Sequence, residues 1–196
     1  EILRCLVGSE MCIRDSPGAD DDAIAMKKER RTNAVRGLKE VAKHAEEVGV
    51  VICLEIVNRF EQYIANTAEE GIAICEEINN PYCKLLLDTF HMNIEEDYIP
   101  DAIRAASDKG YLGYIHIGEA NRKIPNGEKK TNIDWEAIAA TIKDIGYDGP
   151  FVMEPFVLES SSSAKSVSLW REIKDGTNID GLVADAAAGV KFFKSL

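Results

Sequence analysis

Basic residues are scarce in this sequence. Its 23 Lys and Arg face 34 Asp and Glu, giving a formal net charge of -11 over 196 residues. Nucleic-acid partners are disfavoured on that ground, because phosphate binding is driven by Lys and Arg neutralising the backbone. An anionic membrane surface is disfavoured for the same reason. Long apolar runs are also lacking: no stretch approaches a membrane span, and nothing shows the charged, apolar and small-residue order of a secretory signal. Paired cysteines are missing too. The five cysteines, at positions 5, 12, 53, 75 and 83, are odd in number and form no C-x-x-C pair. Reduced thiols in a cytoplasmic protein fit this better than a disulfide framework does, and Cys53 and Cys75, in apolar contexts, are expected in the core.

What is present has the make-up of a globular domain with a substantial core, 45% hydrophobic and 29% charged. The opening residues 1–16, EILRCLVGSEMCIRDS, stand apart. They run into a Pro/Gly turn and a charged stretch without the periodicity of the later segments, and they resemble adapter-derived peptide at the ends of conceptual translations. Residues 1–16 are therefore expected to be a non-native leader, and 17–196 the folded domain.

From Glu29 the pattern becomes regular. Val35, Leu38, Val41, Ala42 and Ala45 fall at helical spacing with Gly49 as the stop, so an amphipathic helix feeds the strand VVICLE. His44 on that helix reads as solvated. Thr67 and Glu70 make a T-x-x-E capping box for a second helix, followed by the strand KLLLD. A helix near 98–109, the strand YIHIGE, a helix from about Asp134 to Ile145 stopped by Gly146, and the strand FVMEP complete the alternation. Strict alternation of helix and strand implies a parallel sheet with right-handed crossovers.

Four polar residues then stand out at strand ends. Glu55 to Asp88 is 33 residues, Asp88 to His116 is 28 and His116 to Glu154 is 38; an eight-fold barrel of about 250 residues gives roughly 31 per unit. The carboxyl ends of the strands are where barrels place their chemistry. Four strands are half of the eight a closed barrel needs. The expected fold class is thus α/β, the carboxyl-terminal half of a (β/α)8 TIM barrel of about four βα units with the amino-terminal half absent, its edge strands unpaired and its inner face partly open.

Three carboxylates and one imidazole form a mostly oxygen-donor set, which suits a divalent cation such as Mn²⁺, Mg²⁺ or Co²⁺ better than a thiolate zinc site. Without a cation the three acids would repel one another and raise each other's pKa. The plainer reading is that each acid caps a helix or pairs with a lysine at the barrel rim. Their shared position on four strands favours the metal.

The segments LEIVNRFEQY, LLLDTFHMNIEED, IHIGEANRKIP and VMEPF, in this order, resemble the ketose 3-epimerases: the D-tagatose and D-allulose (D-psicose) 3-epimerase family of the xylose isomerase-like barrels. The similarity spans roughly residues 30–196. The resemblance implies that Glu55, Asp88, His116 and Glu154 hold the metal, Mn²⁺ first, and that Glu55 and Glu154 are the acid/base pair of C3 epimerisation. It implies substrate contacts from Glu61, His91, Arg122 and Phe156. His91 has support of its own, lying just past a strand end beside Asp88. A small ketose is the implied substrate and a homo-oligomer, dimer or tetramer, the implied assembly. Aldose-ketose or hydroxypyruvate isomerisation in the same superfamily is the competing chemistry, and a half-barrel that only binds metal or sugar is the non-enzymatic alternative.

At the carboxyl end, SLWREIKDG and the run through AGVKFFKSL resemble that family's closing helices. Trp170 and Phe192 are expected to pack, and ESSSSAKS reads as a polar loop.

Overall fold

The computed structural model describes residues 22–128, 131–158, 161, 164–165, 167–173 and 178–196. The leader 1–16, with Cys5 and Cys12, and most of ESSSSAKS lie outside these described residues.

The first helix, α1 (Ala23–Val48), begins earlier than its apolar periodicity indicates. Asp22 caps it by accepting from the Ala25 N–H at 3.1 Å. The charged stretch continues the helix in good helix formers, and two of its basic residues meet distant acids: Lys27 pairs with Glu70, and Arg31 meets Glu77 at 2.6 Å. Gly49 ends the helix as expected, at φ 71° with its N–H on the Ala45 and Glu46 carbonyls. His44 is solvent-exposed.

The alternation then runs β1 (Ile52–Ile56), α2 (Ala68–Ile78), β2 (Cys83–Asp88), the short α3 (Thr89–Glu95), α4 (Ile99–Asp108), β3 (Leu112–Ile117), α5 (Trp135–Asp144), β4 (Phe151–Met153) and α6 (Ile179–Ser195). At α2 the Thr67 hydroxyl accepts from the Glu70 N–H at 3.2 Å. The return bond of the box goes one residue upstream, from the Asn66 N–H to the Glu70 carboxylate at 2.7 Å. The α3 helix has too few turns to show a period, so only the structure reveals it. The strand expected over YIHIGE ends at Ile117, leaving Glu119 in the following loop.

All four strands are parallel and stand in sequence order, β1-β2-β3-β4, as in one arc of a TIM barrel. The outer face carries the core: Leu85, Leu87 and Ile117 are buried under Leu38 of α1, Ile74 of α2 and Ile138 of α5. Each such side chain contributes about 1.5–3 kcal/mol by leaving water. The inner face is more open, with Leu86 and Tyr114 half-buried and Val152 exposed. Cys53 lies half-buried on that inner face, in contrast to the fully buried Cys75. Its expected place in the core is therefore corrected.

At the end of the sheet α6 packs through Gly189, where a Cβ would come within 2.5 Å of Ile124 and 2.8 Å of Met153. Phe193 sits edge-on to both Trp135 and Phe151, and Phe192 packs beside it as expected. Trp170 does not pack. It is 75% exposed, and residues 167–173 form turns and bends instead of the start of a closing helix. No described helix is long and apolar enough to cross a membrane.

Candidate active site

Strand register determines which side chains can meet. Asp88 of β2 lies directly opposite His116 of β3. Glu55 pairs with Leu86, two residues before Asp88, and His116 pairs with Val152, two residues before Glu154. Residues two apart on a strand share a face, so all four point to the inner side. The pairing of β2 with β3 depends on an irregularity: Leu85 faces Leu112 but Leu86 faces Tyr114, so Gly113 is skipped. Without that extra residue Ile115 would stand opposite Asp88, because a one-residue slip exchanges the faces of a strand.

Glu55, Asp88, His116 and Glu154 each offer one ligand atom, and these atoms all lie within 4.8 Å of one another. Ligand atoms about 2–2.5 Å from a shared ion are at most about 4–5 Å apart, so the group is of the right size. The imidazole supplies the fit test. His116 Nδ1 is buried and makes no hydrogen bond, although Glu154 Oε2 stands 3.5 Å away and Glu55 Oε1 3.7 Å. A ring nitrogen that shares a space with three carboxylates and has no hydrogen-bond partner among them suits a cation at their centre once it gives up its proton.

The electrostatics agree with the crowding of negative charge. Glu154 and then Glu55 push the His116 pKa up to about 10 against the effect of burial. Burial raises Asp88 to about 6, with Arg122 opposing it. Burial alone would raise Glu154 as well, but His116 and Arg122 outweigh it and hold that carboxyl below its ordinary range.

Asp88 also does what the plainer reading assigned to such acids. Its Oδ1 caps α3 by accepting from the Phe90 N–H at 2.8 Å, while Oδ2 faces the site and accepts from Arg122 Nη1 at 2.9 Å. Capping and site-building are compatible because a carboxylate has two oxygens.

Arg122 is the hub of the second half of the site. It is nearly buried and holds φ at 63°, a left-handed backbone that is uncommon outside glycine. A tight turn enforces this, with the Arg122 N–H donating to the Glu119 carbonyl at 2.8 Å and the Glu119 N–H donating to the Lys123 carbonyl at 2.9 Å. The guanidinium lies 3.7 Å from the Phe90 ring and 5.1 Å from the Phe156 ring. Besides Asp88 it donates to Glu154 Oε2 at 3.2 Å and stands 3.7 Å from Glu61 Oε1. Its Nη2 is 3.2 Å from His91 Nε2.

All eight residues singled out in the sequence thus converge on one region, either in the ligand group or around Arg122. Two further residues were not singled out. Asn58 is 2% exposed and bonds to His91 and Glu61; it is the first residue of NRFE, where only the glutamate was singled out. Buried Glu119 accepts from the Trp135 indole N–H at 2.9 Å and so ties the Arg122 turn to α5.

The family model described as xylose isomerase-like TIM barrel matches residues 5–175. A D-psicose 3-epimerase of Ruminiclostridium cellulolyticum is 44% identical over 159 residues, 81% of this chain and 53% of that protein. An L-ribulose 3-epimerase of a Methylomonas species is 37% identical over 182 residues, 88% of this chain and 59% of that protein. Among solved structures, D-psicose 3-epimerase with D-tagatose from Clostridium cellulolyticum H10 superposes with a TM-score of 0.80 at 43% identity, covering 86% of this chain and 57% of the other. A D-psicose 3-epimerase in the presence of D-fructose gives 0.85 at 35% identity, covering 97% and 62%. The chain spans about half the length of the curated relatives it matches.

Proposed function

The chain belongs to the xylose isomerase-like TIM barrel family, and from that premise we propose that it carries the metal-dependent site of a ketose 3-epimerase. The observation that carries this reading is the meeting of Glu55, Asp88, His116 and Glu154 from four successive βα units. Relatives named D-psicose and L-ribulose 3-epimerase support the choice of reaction.

The chemistry starts from the substrate. The hydrogen on C3 of a ketose is acidic because it lies α to the C2 carbonyl, and its loss leaves a cis-enediolate. Glu55, Asp88, His116 and Glu154 would hold a divalent cation, which would supply positive charge beside that enediolate, Mn²⁺ being favoured by the oxygen-rich donor set. Inversion needs the proton returned to the other face, so two acid/base groups are wanted, with their roles exchanged in the reverse direction. Glu55 lies on the first strand and Glu154 just past the fourth, each with a carboxylate oxygen within 3.7 Å of His116 Nδ1. Beside the Arg122 guanidinium, Glu154 is in the ionised form that a base requires. Asp88 and His116 would be ligands that take no part in the proton transfer.

Arg122, His91 and Glu61 form the polar wall that takes the sugar oxygens, and Phe156 covers the guanidinium. The segment 17–196 is read as a single partial barrel domain, with free ketohexoses of the D-fructose/D-allulose or D-tagatose/D-sorbose type as substrates. Dimeric or tetrameric assembly belongs to the same proposal and rests on the resemblance.

Incubation of the chain with D-fructose and Mn²⁺ in D₂O, followed by proton NMR after removal of the metal, tests the reaction. D-Allulose carrying deuterium at C3 is the expected product. Exchange confined to C1 and C2, with an aldose formed, would replace epimerisation by aldose-ketose isomerisation. Glu55→Gln and Glu154→Gln should each abolish turnover with the fold retained; full activity in either would sink the two-base assignment.

A further inference from the structure

We propose that Asn58 is a positioning residue that locks His91 in the tautomer with its proton on Nε2, so that the imidazole presents an N–H donor beside the Arg122 guanidinium. The inference rests on the reading of His91 and Arg122 as substrate-contacting groups. The hydrogen bonds around one buried amide carry it.

Asn58 follows β1 and is almost fully buried, so each of its polar atoms must be accounted for within the protein. Its Oδ1 accepts from the Phe60 N–H at 2.9 Å. That bond fixes the amide orientation, since the flipped side chain would put an NH₂ group against the Phe60 N–H. The NH₂ group is left with two acceptors: Glu61 Oε1 at 3.1 Å and His91 Nδ1 at 2.8 Å. Flipping would also set the amide oxygen against the Glu61 carboxylate. Two independent partners, the Phe60 N–H and the Glu61 carboxylate, therefore agree on one orientation, the condition under which an amide can be assigned without seeing its hydrogens.

The consequence falls on the imidazole. Nδ1 receives the side-chain amide and also the Asn58 backbone N–H at 3.2 Å. Both are donors, and a nitrogen facing two donors must offer its lone pair. A neutral imidazole with a bare Nδ1 carries its single proton on Nε2. The Glu61 carboxylate, at 3.8 Å from Nδ1, is too far to reverse this by accepting a proton from it. Asn58 occupies that carboxylate with its other hydrogen.

On the far side of the ring, Nε2 is 3.2 Å from Arg122 Nη2 and 3.7 Å from Asp88 Oδ2. In the tautomer set by Asn58 the Nε2–H and the guanidinium are both donors, so neither satisfies the other. An acceptor oxygen within reach of the two donors completes both. A ketose carbonyl or enediolate oxygen fits this description, whereas a bare Nε2 would accept from Arg122 and offer nothing to such an oxygen. Asn58 thereby decides, through His91, whether this wall of the site stabilises developing negative charge.

The test needs neither sugar nor turnover, so its outcome is separable from that of the epimerase assignment. The full chain contains three histidines, and long-range ¹H–¹⁵N spectra distinguish bare from protonated ring nitrogens, with His91→Gln identifying the signals. The expected result is a bare Nδ1 and a protonated Nε2 in His91, together with a ¹⁵N–¹⁵N coupling across the hydrogen bond from the Asn58 amide to Nδ1. Asn58→Asp, which replaces the donor by an anion, should move the Nδ1 signal to the protonated position. A wild-type Nδ1 that carries the proton, a missing cross-bond coupling, or an Asn58→Asp spectrum with Nδ1 still bare would each overturn the proposal. The first two arms use the unmodified chain and stand even where the variant fails to fold.

Discussion

The carboxylates beside His116 favour its protonated form, and a metal bound there would have to displace that proton. With Glu154 and Glu55 beside it, its pKa is pushed up to about 10, while a coordinating imidazole must be neutral. Below pH 10 each binding event therefore releases that proton, and affinity rises with pH by about tenfold per unit for one proton displaced. Below about pH 6 Asp88 must also lose a proton, so the slope steepens on further acidification. Calorimetric titration of Mn²⁺ into the chain at several pH values, in buffers of different ionisation enthalpy, measures both the affinity and the protons released. A pH-independent affinity between 6 and 9 would show that no His116 proton is displaced on binding, and a His116→Ala variant with unchanged affinity would remove the residue from the ligand set. His91, three residues from Asp88, behaves oppositely: burial first, then Arg122 and His116, lowers it to about 3, so it stays neutral throughout this range.

At the scale of elements, the site depends on how helices are seated. α6 closes on the end of the sheet at Gly189, against Ile124 of the Arg122 loop and Met153 just before Glu154. Neither neighbour has room for a side chain. Gly189→Val is expected to cost on the order of 1–3 kcal/mol through overpacking, read as a lowered Tm, and to weaken metal binding as Glu154 shifts. An unchanged Tm would show that α6 is not held by this contact. Some of this level is legible in the sequence. The Thr67 and Gly49 boundaries follow from local capping chemistry that any helix uses, and they stand where expected. The early start of α1 lies outside the apolar period, because its first turns are charged and turn Lys27 and Arg31 towards acids of α2 more than 40 residues away. Trp170 departs from expectation for a related reason: a large apolar ring implies burial only where an element exists to cover it.

For the molecule as a whole, the outer face of the sheet is sealed by helices while the inner face carries the charged cluster and stays half open. Three acids at the centre of that face leave the protein with unbalanced negative charge, only partly offset by Arg122 and His116. A bound divalent cation should therefore stabilise the fold. Mn²⁺ at a hundred times its Kd adds about 2.7 kcal/mol by mass action, which at about 2–4 °C per kcal/mol for a chain of this size is a rise of several degrees in Tm. Chelation should reverse it and Asp88→Asn should abolish it; an equal rise in that variant would place the ion elsewhere.

The alternation of helix and strand, the interval between strand-end ligands and the identity of those ligands can all be read along the chain, because periodicity, caps and spacing are local properties. Phase between strands cannot. That His116 meets Asp88 instead of turning outward depends on the skipped Gly113. That Arg122 enters the site depends on a left-handed turn closed by Glu119 and Lys123. Asn58 reaches His91 across 33 residues of chain, a pairing that exists only once β1 and β2 lie side by side. These three features belong to the tertiary structure, because register, side-chain direction and buried hydrogen bonds are set by neighbours that are distant in sequence.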